Sequence, residues 1–326
     1  MPFNLADYPE SFDAPDWLSH NSAWIYHLPM VPVFLRLLRP RTFVELGTFR
    51  GDSYMGFCQA AKKIALDTRC TAVDTWQGDA HAGHYGPQVL ADLKAHHDPR
   101  YAAFSTLLQT DFDSAVTTFP DGSIDLLHID GLHTYAAVKH DYGTWLPKLS
   151  DRAVVLFHDT AIFDRGFGVH QLWDEISRGP AGNPHFNVPY GCGLGILAVG
   201  PRVPAEFLDF LAHLNTHRDT ALAQFSALGH RNLMMRNCMM LFAKLHDAQT
   251  IVNTWRTYTA QAIKNPTPAA KDAWEDPAPF ATSAVKDIGQ LTADALQLLT
   301  EITQLRKTNK IGLVPQNIHA PKPVPV

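Results

Sequence analysis

Two apolar segments of the chain each end in an aspartate with a histidine close by. Asp130 ends the first segment and Asp159 ends the second, and His133 and His158 stand beside them. The carboxyl ends of neighbouring parallel strands lie at one edge of a sheet, so we expect these groups to meet there. Two adjacent carboxylates repel each other unless a cation lies between them, which predicts a site for a hard ion such as Mg²⁺.

This set of groups suits the activation of a hydroxyl. A bound metal lowers the pKa of a hydroxyl, and His133 or His158 is a suitable base near neutral pH. Purely structural roles remain open, because Asp130 can end its strand in a turn and Asp159 can cap the next segment. His128 lies within its strand, where a satisfied core histidine is the expected role.

A glycine turn follows the first apolar run, residues 42–46. The pattern is Glu45-x-Gly47-x-x-x-Gly51, which reads as strand, tight turn and helix, with free N–H groups at the helix start. It lacks the third glycine of the dinucleotide fingerprint. An acid at Glu45 favours a cationic ligand over a pyrophosphate.

A second acid ends the next apolar run, residues 71–74. Asp74 is placed to accept hydrogen bonds from the two hydroxyls of a ribose, as acids do in dinucleotide folds. Thr75 and Trp76 follow. The Trp76 ring can stack on adenine or pack in the core, and the sequence leaves both roles open.

The glycine turn resembles the first motif of the class I S-adenosylmethionine-dependent methyltransferases. The stretch His-Ile-Asp-Gly-Leu-His-Thr-Tyr (128–135), with Val138, Asp141 and Trp145, and the later Leu-Phe-His-Asp-Thr (156–160) resemble one bacterial branch of that class. That branch is similar to metal-dependent sugar O-methyltransferases and is often associated with glycosyltransferases. The resemblance covers roughly residues 20–200.

The resemblance implies an O-methyltransferase that moves a methyl group from S-adenosylmethionine to a hydroxyl of a sugar or glycan. It implies Asp130 and Asp159 as ligands of Mg²⁺, with His133 or His158 as the base. Asp111 would lie near the adenine. The implied cofactor-binding residues are Glu45, Gly47, Thr48, Gly51, Ser53, Asp74, Thr75, Trp76 and Asp111.

Two other classes of function stay open at this point. One is a hydroxylase-like or nicotinamide-dependent enzyme on a similar sheet, although Glu45 and the missing glycine disfavour nicotinamide. The other is a non-catalytic module that binds the cofactor and recruits a glycosyltransferase. The complete set of acids and histidines at 130, 133, 158 and 159 argues against that second class.

Strand-like and helical segments alternate up to about residue 199, which predicts an α/β fold. We expect a doubly wound, mostly parallel seven-stranded sheet of the Rossmann-like methyltransferase type, and the resemblance implies an antiparallel last strand. The apolar stripe of the last helix favours a homodimer. The expected organisation is a lead-in and covering helix (1–40), the methyltransferase domain (41–200), a helical extension (201–264), a linker (265–282), an amphipathic helix (283–308) and a flexible tail (309–326).

Composition narrows the functional classes. The 326-residue chain is 46% hydrophobic with a formal net charge of −5, and no basic cluster is interleaved with aromatic residues. This disfavours a nucleic-acid partner. The resemblance implies a small-molecule or glycan acceptor. We expect no membrane span, because no apolar run approaches the required length. Four scattered cysteines indicate a reducing, cytoplasmic location: Cys58, Cys70, Cys192 and Cys238.

Overall fold

A seven-stranded sheet forms the centre of the protein. The computed structural model describes residues 3–20, 22–179 and 181–264. Within this part of the chain the strands are β1 (Thr42–Leu46), β2 (Arg69–Asp74), β3 (Gly78–Asp79), β4 (Gly83–His84), β5 (Ser105–Gln109), β6 (Ile124–Ile129), β7 (Leu149–His158), β8 (His185–Val188) and β9 (Leu194–Ala198).

The sheet order is β5-β2-β1-β6-β7-β9-β8, and β3 pairs with β4 in a separate hairpin. Neighbouring strands of the seven-stranded sheet are parallel, except that β9 runs antiparallel to both β7 and β8. The predicted seven-stranded, mostly parallel sheet with an antiparallel last strand is therefore confirmed. The chain reverses direction across the sheet between β1 and β6, and this switch point is where α/β proteins bind ligands.

The ends of three strands are level at this edge. Leu46 pairs with Ile129, and Ile129 pairs with Phe157. Residues that follow β1 and β6 therefore lie beside the end of β7. This register brings the two acidic strand ends together as the sequence predicts.

Helices cover both faces of the sheet, which explains why strands such as β6 are buried along their whole length. One core layer contains Phe34, Phe57 and Phe207, and the other contains Trp145 and Trp173. The helices are α1 (Val31–Leu38), α2 (Asp52–Ile64), α3 (Gln88–Tyr101), α4 (Phe112–Ala115), α5 (Tyr135–Trp145), α6 (Val169–Ser177), α7 (Ala205–Thr216) and α8 (Arg218–Lys264).

The N-terminal segment is more broken than a single helix. The sequence predicts a helix from about Ser22 to Leu37 that prolines can split. In the structure, 3₁₀ turns at Trp24–Tyr26 and Leu28–Met30 precede α1. Each proline lacks an N–H and is accommodated in the first turn of its element, where no donor is needed.

The helical extension expected after residue 200 consists of α7 and α8. The chain divides into two compact units, residues 1–233 and 234–326. The described part of the second unit is the C-terminal portion of α8, residues 234–264. The predicted linker, amphipathic helix and tail (265–326), and with them the homodimer expected through that helix, lie outside the described residues. No helix of the described chain combines the length and apolar character needed to cross a bilayer.

Candidate active site

A cavity of about 710 Å³ lies at the carboxyl ends of β1, β2, β6 and β7. The turn after β1 and the acidic strand ends form its walls. The loop at residues 77–86, which we call the roof hairpin because it contains β3 and β4, also lines it. Most of the sequence-predicted site residues meet here, because they follow strands that end at one level.

Gly47 allows the turn to pack against the end of β6. Its φ is +85°, and a Cβ at this position would lie 2.2 Å from the carbonyl oxygen of Asp130. Gly51 adopts φ +79° at the start of α2, where a Cβ would lie 2.4 Å from Leu93 Cδ1. Both glycines are therefore required by geometry, as the sequence predicts for a strand–turn–helix unit.

Asp74 organises the same turn. Its Oδ2 accepts hydrogen bonds from the backbone N–H groups of Thr48 and Phe49, both at 2.8 Å, and its Oδ1 accepts one from Trp76 N–H at 2.7 Å. These bonds use three of the roughly four acceptor positions of a carboxylate and leave one free. Asp74 lines the cavity and is held in a fixed orientation there.

Four more of the predicted cofactor-binding residues line the cavity: Thr48, Ser53, Thr75 and Asp111. Asp111 caps α4, where its carboxylate accepts hydrogen bonds from the N–H and hydroxyl of Ser114, both at 2.8 Å. The backbone hydrogen bond from Ser114 is the main cause of a lowered pKa at Asp111. Asp111 therefore presents a carboxylate at the cavity edge.

Trp76 lies in the core rather than on the cavity wall. Its side chain is 2% exposed, and its indole N–H donates to the carbonyl of Phe49 at 3.0 Å. The residue adopts φ +51°, which turns the ring beneath the turn. Of the two roles that the sequence left open, this position matches core packing and leaves the ring no face for adenine.

Glu45 is also fully buried and away from the cavity wall. Its Oε2 lies 2.8 Å from His128 Nδ1. Burial raises the pKa of Glu45, and the hydrogen bond from His128 opposes that rise. His128 is the core histidine that the sequence predicts, with Nε2 buried 3.9 Å from an oxygen of Asp130. Glu45 contacts His128, which lies beside Asp130 at the acidic strand end.

The predicted acid–histidine group forms one cluster. Oδ2 of Asp159 lies 2.9 Å from Nε2 of His133 and 3.3 Å from Nδ1 of His158. Oδ1 of Asp130 lies 3.5 Å and 3.2 Å from the same two nitrogens. The two carboxylates therefore share two imidazoles.

The cluster carries opposite charges in close contact. Burial would lower the pKa of His133, but hydrogen bonds to Asp130 and Asp159 raise it to about 9. The same carboxylates raise the pKa of His158 well above its usual range, against the effect of burial. Burial opposes ionisation of Asp159, but the charge of His158 lowers the pKa of Asp159 to about 2. Both imidazoles therefore favour their protonated forms beside the two carboxylates.

The cluster also fits a divalent cation. Asp130, His133 and Asp159 each offer a ligand atom, and these three atoms lie within 4.8 Å of one another. Two carboxylates suit Mg²⁺, whereas the imidazole adds a nitrogen that transition metals accept more readily. Asp159 adopts φ +61°, a conformation that non-glycine residues rarely take and that occurs at functional sites.

His158 and His133 differ in what their second nitrogen contacts. Nε2 of His158 lies 3.2 Å from the carbonyl oxygen of Gly191, so both nitrogens of His158 face acceptors. His133 Nδ1 is buried with no hydrogen-bond partner among the described residues. His158 is therefore locked as a donor, and His133 keeps the freedom to exchange a proton.

Sequence reasoning missed two residues of the N-terminal segment. The indole N–H of Trp24 donates to Oδ2 of Asp130 at 3.2 Å, and its ring stacks on His158 with centroids 5.7 Å apart. His27 lies 2.8 Å from the carbonyl oxygen of Gly191, and burial lowers its pKa to about 3. The signal available in the sequence was the concentration of aromatic residues at 24–27.

The sheet has the order and strand directions of a Rossmann-like α/β fold, and the cavity lies at its switch point. Residues 44–160 match the family model described as "Methyltransferase domain".

Individual known proteins are also similar to this chain. The chain is 48% identical over 202 residues to an uncharacterized protein of Sinorhizobium fredii, y4gI; the match covers 62% of this chain and 22% of that protein. The chain thus spans about a fifth of the length of this curated relative. The SAH-bound methyltransferase PaMTH1 of Podospora anserina is 16% identical, with a TM-score of 0.40 over 61% of this chain and 88% of that one. The O-methyltransferase TomG of Streptomyces achromogenes, in complex with SAM, is 17% identical, with a TM-score of 0.39 over 60% and 89%.

Proposed function

We propose that the protein transfers a methyl group from S-adenosylmethionine to a hydroxyl group of a sugar or glycan, with His133 as the general base. The observation that carries the proposal is the contact between His133 and Asp159 in the cavity that the glycine turn also lines. A carboxylate that holds an imidazole beside a ligand cavity is the arrangement of a positioned base.

The turn after β1 fits the cofactor. The absence of a Cβ at Gly47 keeps the turn close to the end of β6, and Asp74 has one acceptor position left for a ribose hydroxyl. Thr48, Thr75 and Asp111 provide further polar groups along the same wall. When bound, the cofactor supplies an electrophilic methyl group on a sulfonium centre.

The acceptor hydroxyl must lose its proton as it attacks. In its neutral form His133 keeps a proton on Nε2 as a donor to Asp159 and takes the acceptor's proton on Nδ1, and Asp159 and Asp130 stabilise the imidazolium that results. His158 holds both carboxylates through one nitrogen and is itself held by Gly191. The pocket also aligns the acceptor oxygen with the methyl group, which is a large part of the rate gain in such transfers.

We further propose that Asp130 and Asp159 hold a divalent cation such as Mg²⁺ beside the base. The ligand atoms of Asp130, His133 and Asp159 lie within 4.8 Å of one another, which supports this proposal. Such an ion supplies a lower pKa for a bound hydroxyl. The acceptor class, and association with a glycosyltransferase, rest on the resemblance of residues 128–135 and 156–160.

The test uses S-adenosylmethionine labelled in its methyl group. The protein is incubated with a panel of sugars, nucleotide-sugars and oligosaccharides, with Mg²⁺ and with EDTA, and products are identified by mass spectrometry. We expect transfer to a hydroxyl, lost in His133→Gln and kept in His140→Gln. His140 is an exposed histidine on α5 whose partner is Asp113, at 2.7 Å, so it controls for loss of any imidazole from this region.

Two results would contradict the proposal. One is a methylated nitrogen or carbon atom in place of an oxygen. The other is a His133→Gln variant that transfers methyl groups to an acceptor as fast as the unaltered protein.

A further inference from the structure

The roof hairpin is built to hold one side chain over the cavity. Gly78 adopts φ +78°, and a Cβ there would lie 1.9 Å from the carbonyl oxygen of Gly83, so the two strands approach as closely as glycine permits. Oδ1 of Asp79 accepts hydrogen bonds from the N–H groups of His81 and Ala82, both at 2.7 Å. These bonds fix the backbone at the tip, from which His81 projects into the cavity lining.

The rings of His81 and His133 both lie against the ring of Phe167. The centroid of the His81 ring lies 4.4 Å from that of Phe167 and 5.5 Å from that of His133, with interplanar angles of 12° and 18°. Phe167 and His133 are 4.6 Å apart and 7° from parallel. Offset, nearly parallel aromatic rings at these distances attract one another. Three separate segments of the chain thus meet ring to ring above the acidic strand ends.

These ring contacts can fix the orientation of the His133 imidazole. A histidine that works in a site is usually oriented by a hydrogen bond at its second nitrogen. His133 Nδ1 makes no such bond to any described residue and is nevertheless buried. Its Nε2 has two carboxylate oxygens at 2.9 Å and 3.5 Å, which permit rotation of the ring about that end. Packing against flat neighbours is what remains to define the plane of the ring.

The loop after β7 fixes Phe167 against the His133 ring. Gly168 N–H donates to the carbonyl of His133 at 2.7 Å, and Phe167 N–H donates to Asp164 at 3.0 Å. The guanidinium of Arg165 lies 4.9 Å from the centroid of the Phe167 ring. Phe167 is therefore anchored to the same loop system as His133, whereas His81 comes from the roof hairpin on a different part of the chain.

We propose that His81 is a positioning residue, whose ring holds the His133 imidazole in the plane where Nε2 meets Asp159 and limits the access of bulk solvent to Nδ1. The inference deepens the proposed function, because it concerns the base assigned there. His81 acts by shape and stacking and takes no proton in the reaction. A flat ring of similar size at position 81 therefore preserves the role, and a small side chain abolishes it.

The test measures the reactivity of His133 with diethyl pyrocarbonate, which acylates neutral imidazole nitrogens. Modification of the peptide that contains His133 is followed by mass spectrometry over a range of pH, and the rate constant of the neutral ring is extracted. The proteins compared are the unaltered chain, His81→Ala, His81→Phe and His84→Ala. His84 lies on the same hairpin but is exposed, with Nδ1 3.4 Å from the carbonyl oxygen of Gln77, and serves as the matched control.

We expect the His133 rate constant to rise several-fold in His81→Ala and to stay within about twofold of the original in His81→Phe and His84→Ala. Fully buried His128 reports on unfolding in the same digest, since it stays unmodified while the fold is intact. An unchanged rate in His81→Ala would overturn the inference, and so would a rate in His81→Phe as high as in His81→Ala.

Calorimetric binding of S-adenosylhomocysteine to the same variants separates this inference from the proposed function. Binding that persists alongside an unchanged His133 rate overturns the role of His81 and leaves the methyltransferase proposal standing. A faster His133 in a protein that binds no S-adenosylhomocysteine would support the stacking role and count against the methyltransferase proposal.

Discussion

Trp24 donates its indole N–H to Oδ2 of Asp130 across 106 residues of sequence, at 3.2 Å. The contact ties the N-terminal segment to the acidic end of β6. It leaves Oδ1 of Asp130 for His133 and His158. The segment before β1 is therefore part of the site as well as a cover for the sheet.

Removing that N–H should weaken both the fold and the site. In Trp24→Phe the buried carboxylate loses a donor, and a hydrogen bond to a charged group contributes about 1.5–3 kcal/mol. We expect a loss of that order in the free energy of unfolding by urea, together with slower methyl transfer. Trp145→Phe is the matched control, because Nε1 of Trp145 is buried with no partner among the described residues. Equal losses in the two variants would show that ring volume, and not the hydrogen bond, is responsible.

The charge of Asp159 should set the proton affinity of His133. With EDTA present, NMR titration should place the His133 pKa near 9, and Asp159→Asn should lower it because the neutral amide no longer favours the imidazolium. The contribution of a raised histidine pKa to stability is complete below the unfolded value and is lost as pH rises through about 9. Asp113→Asn, which removes the exposed partner of His140, should leave His133 unchanged. A His133 pKa that stays the same in Asp159→Asn would contradict the pairing of His133 with Asp159.

Asp141 on α5 should also make the protein less stable as pH rises, but over a lower pH range than His133. Burial raises its pKa to about 7, so the folded state disfavours its charged form. The protein loses stability as pH rises from about 4, the unfolded pKa, through 7, by at most about 4 kcal/mol. Asp141→Asn should therefore raise the melting temperature more at pH 8 than at pH 5. The same gain at both values would mean that Asp141 titrates normally in the folded protein.

Gly47 should tolerate no side chain. In Gly47→Ala the left-handed backbone costs about 1–2 kcal/mol, and the new Cβ displaces the end of β6 at Asp130. We expect lower stability and weaker cofactor binding. Gly143→Ala is the control within α5, where a Cβ meets no atom within 4 Å and helix propensity predicts a gain of about 1 kcal/mol. Full cofactor binding by Gly47→Ala would argue against this position of the turn.

The sequence predicted those features that depend on strand order and local turns. The cluster of Asp130, His133, His158 and Asp159 was predictable because parallel strands that end level bring their following residues together. Trp24 was not, because its contact with Asp130 depends on how the N-terminal segment packs across the sheet. The sequence could not decide between stacking on adenine and core packing for Trp76. The residue is buried with a positive φ, and no residue type in this stretch requires that conformation. The hydrogen bond between Glu45 and His128 could not be predicted from the sequence, because it depends on the pairing of β1 with β6.

We infer that Asp74 organises a cofactor pocket. Calorimetric titration of the protein with S-adenosylhomocysteine, with and without Mg²⁺, measures whether that pocket binds the cofactor product. We expect binding in the micromolar range and at least about a tenfold weaker affinity in Asp74→Ala, equivalent to about 1.4 kcal/mol. Asp67→Ala, an exposed acid near the opposite end of β2, should bind as the original protein does. No binding by the folded, unaltered protein under either condition would contradict the account, as would an affinity that Asp74→Ala leaves unchanged.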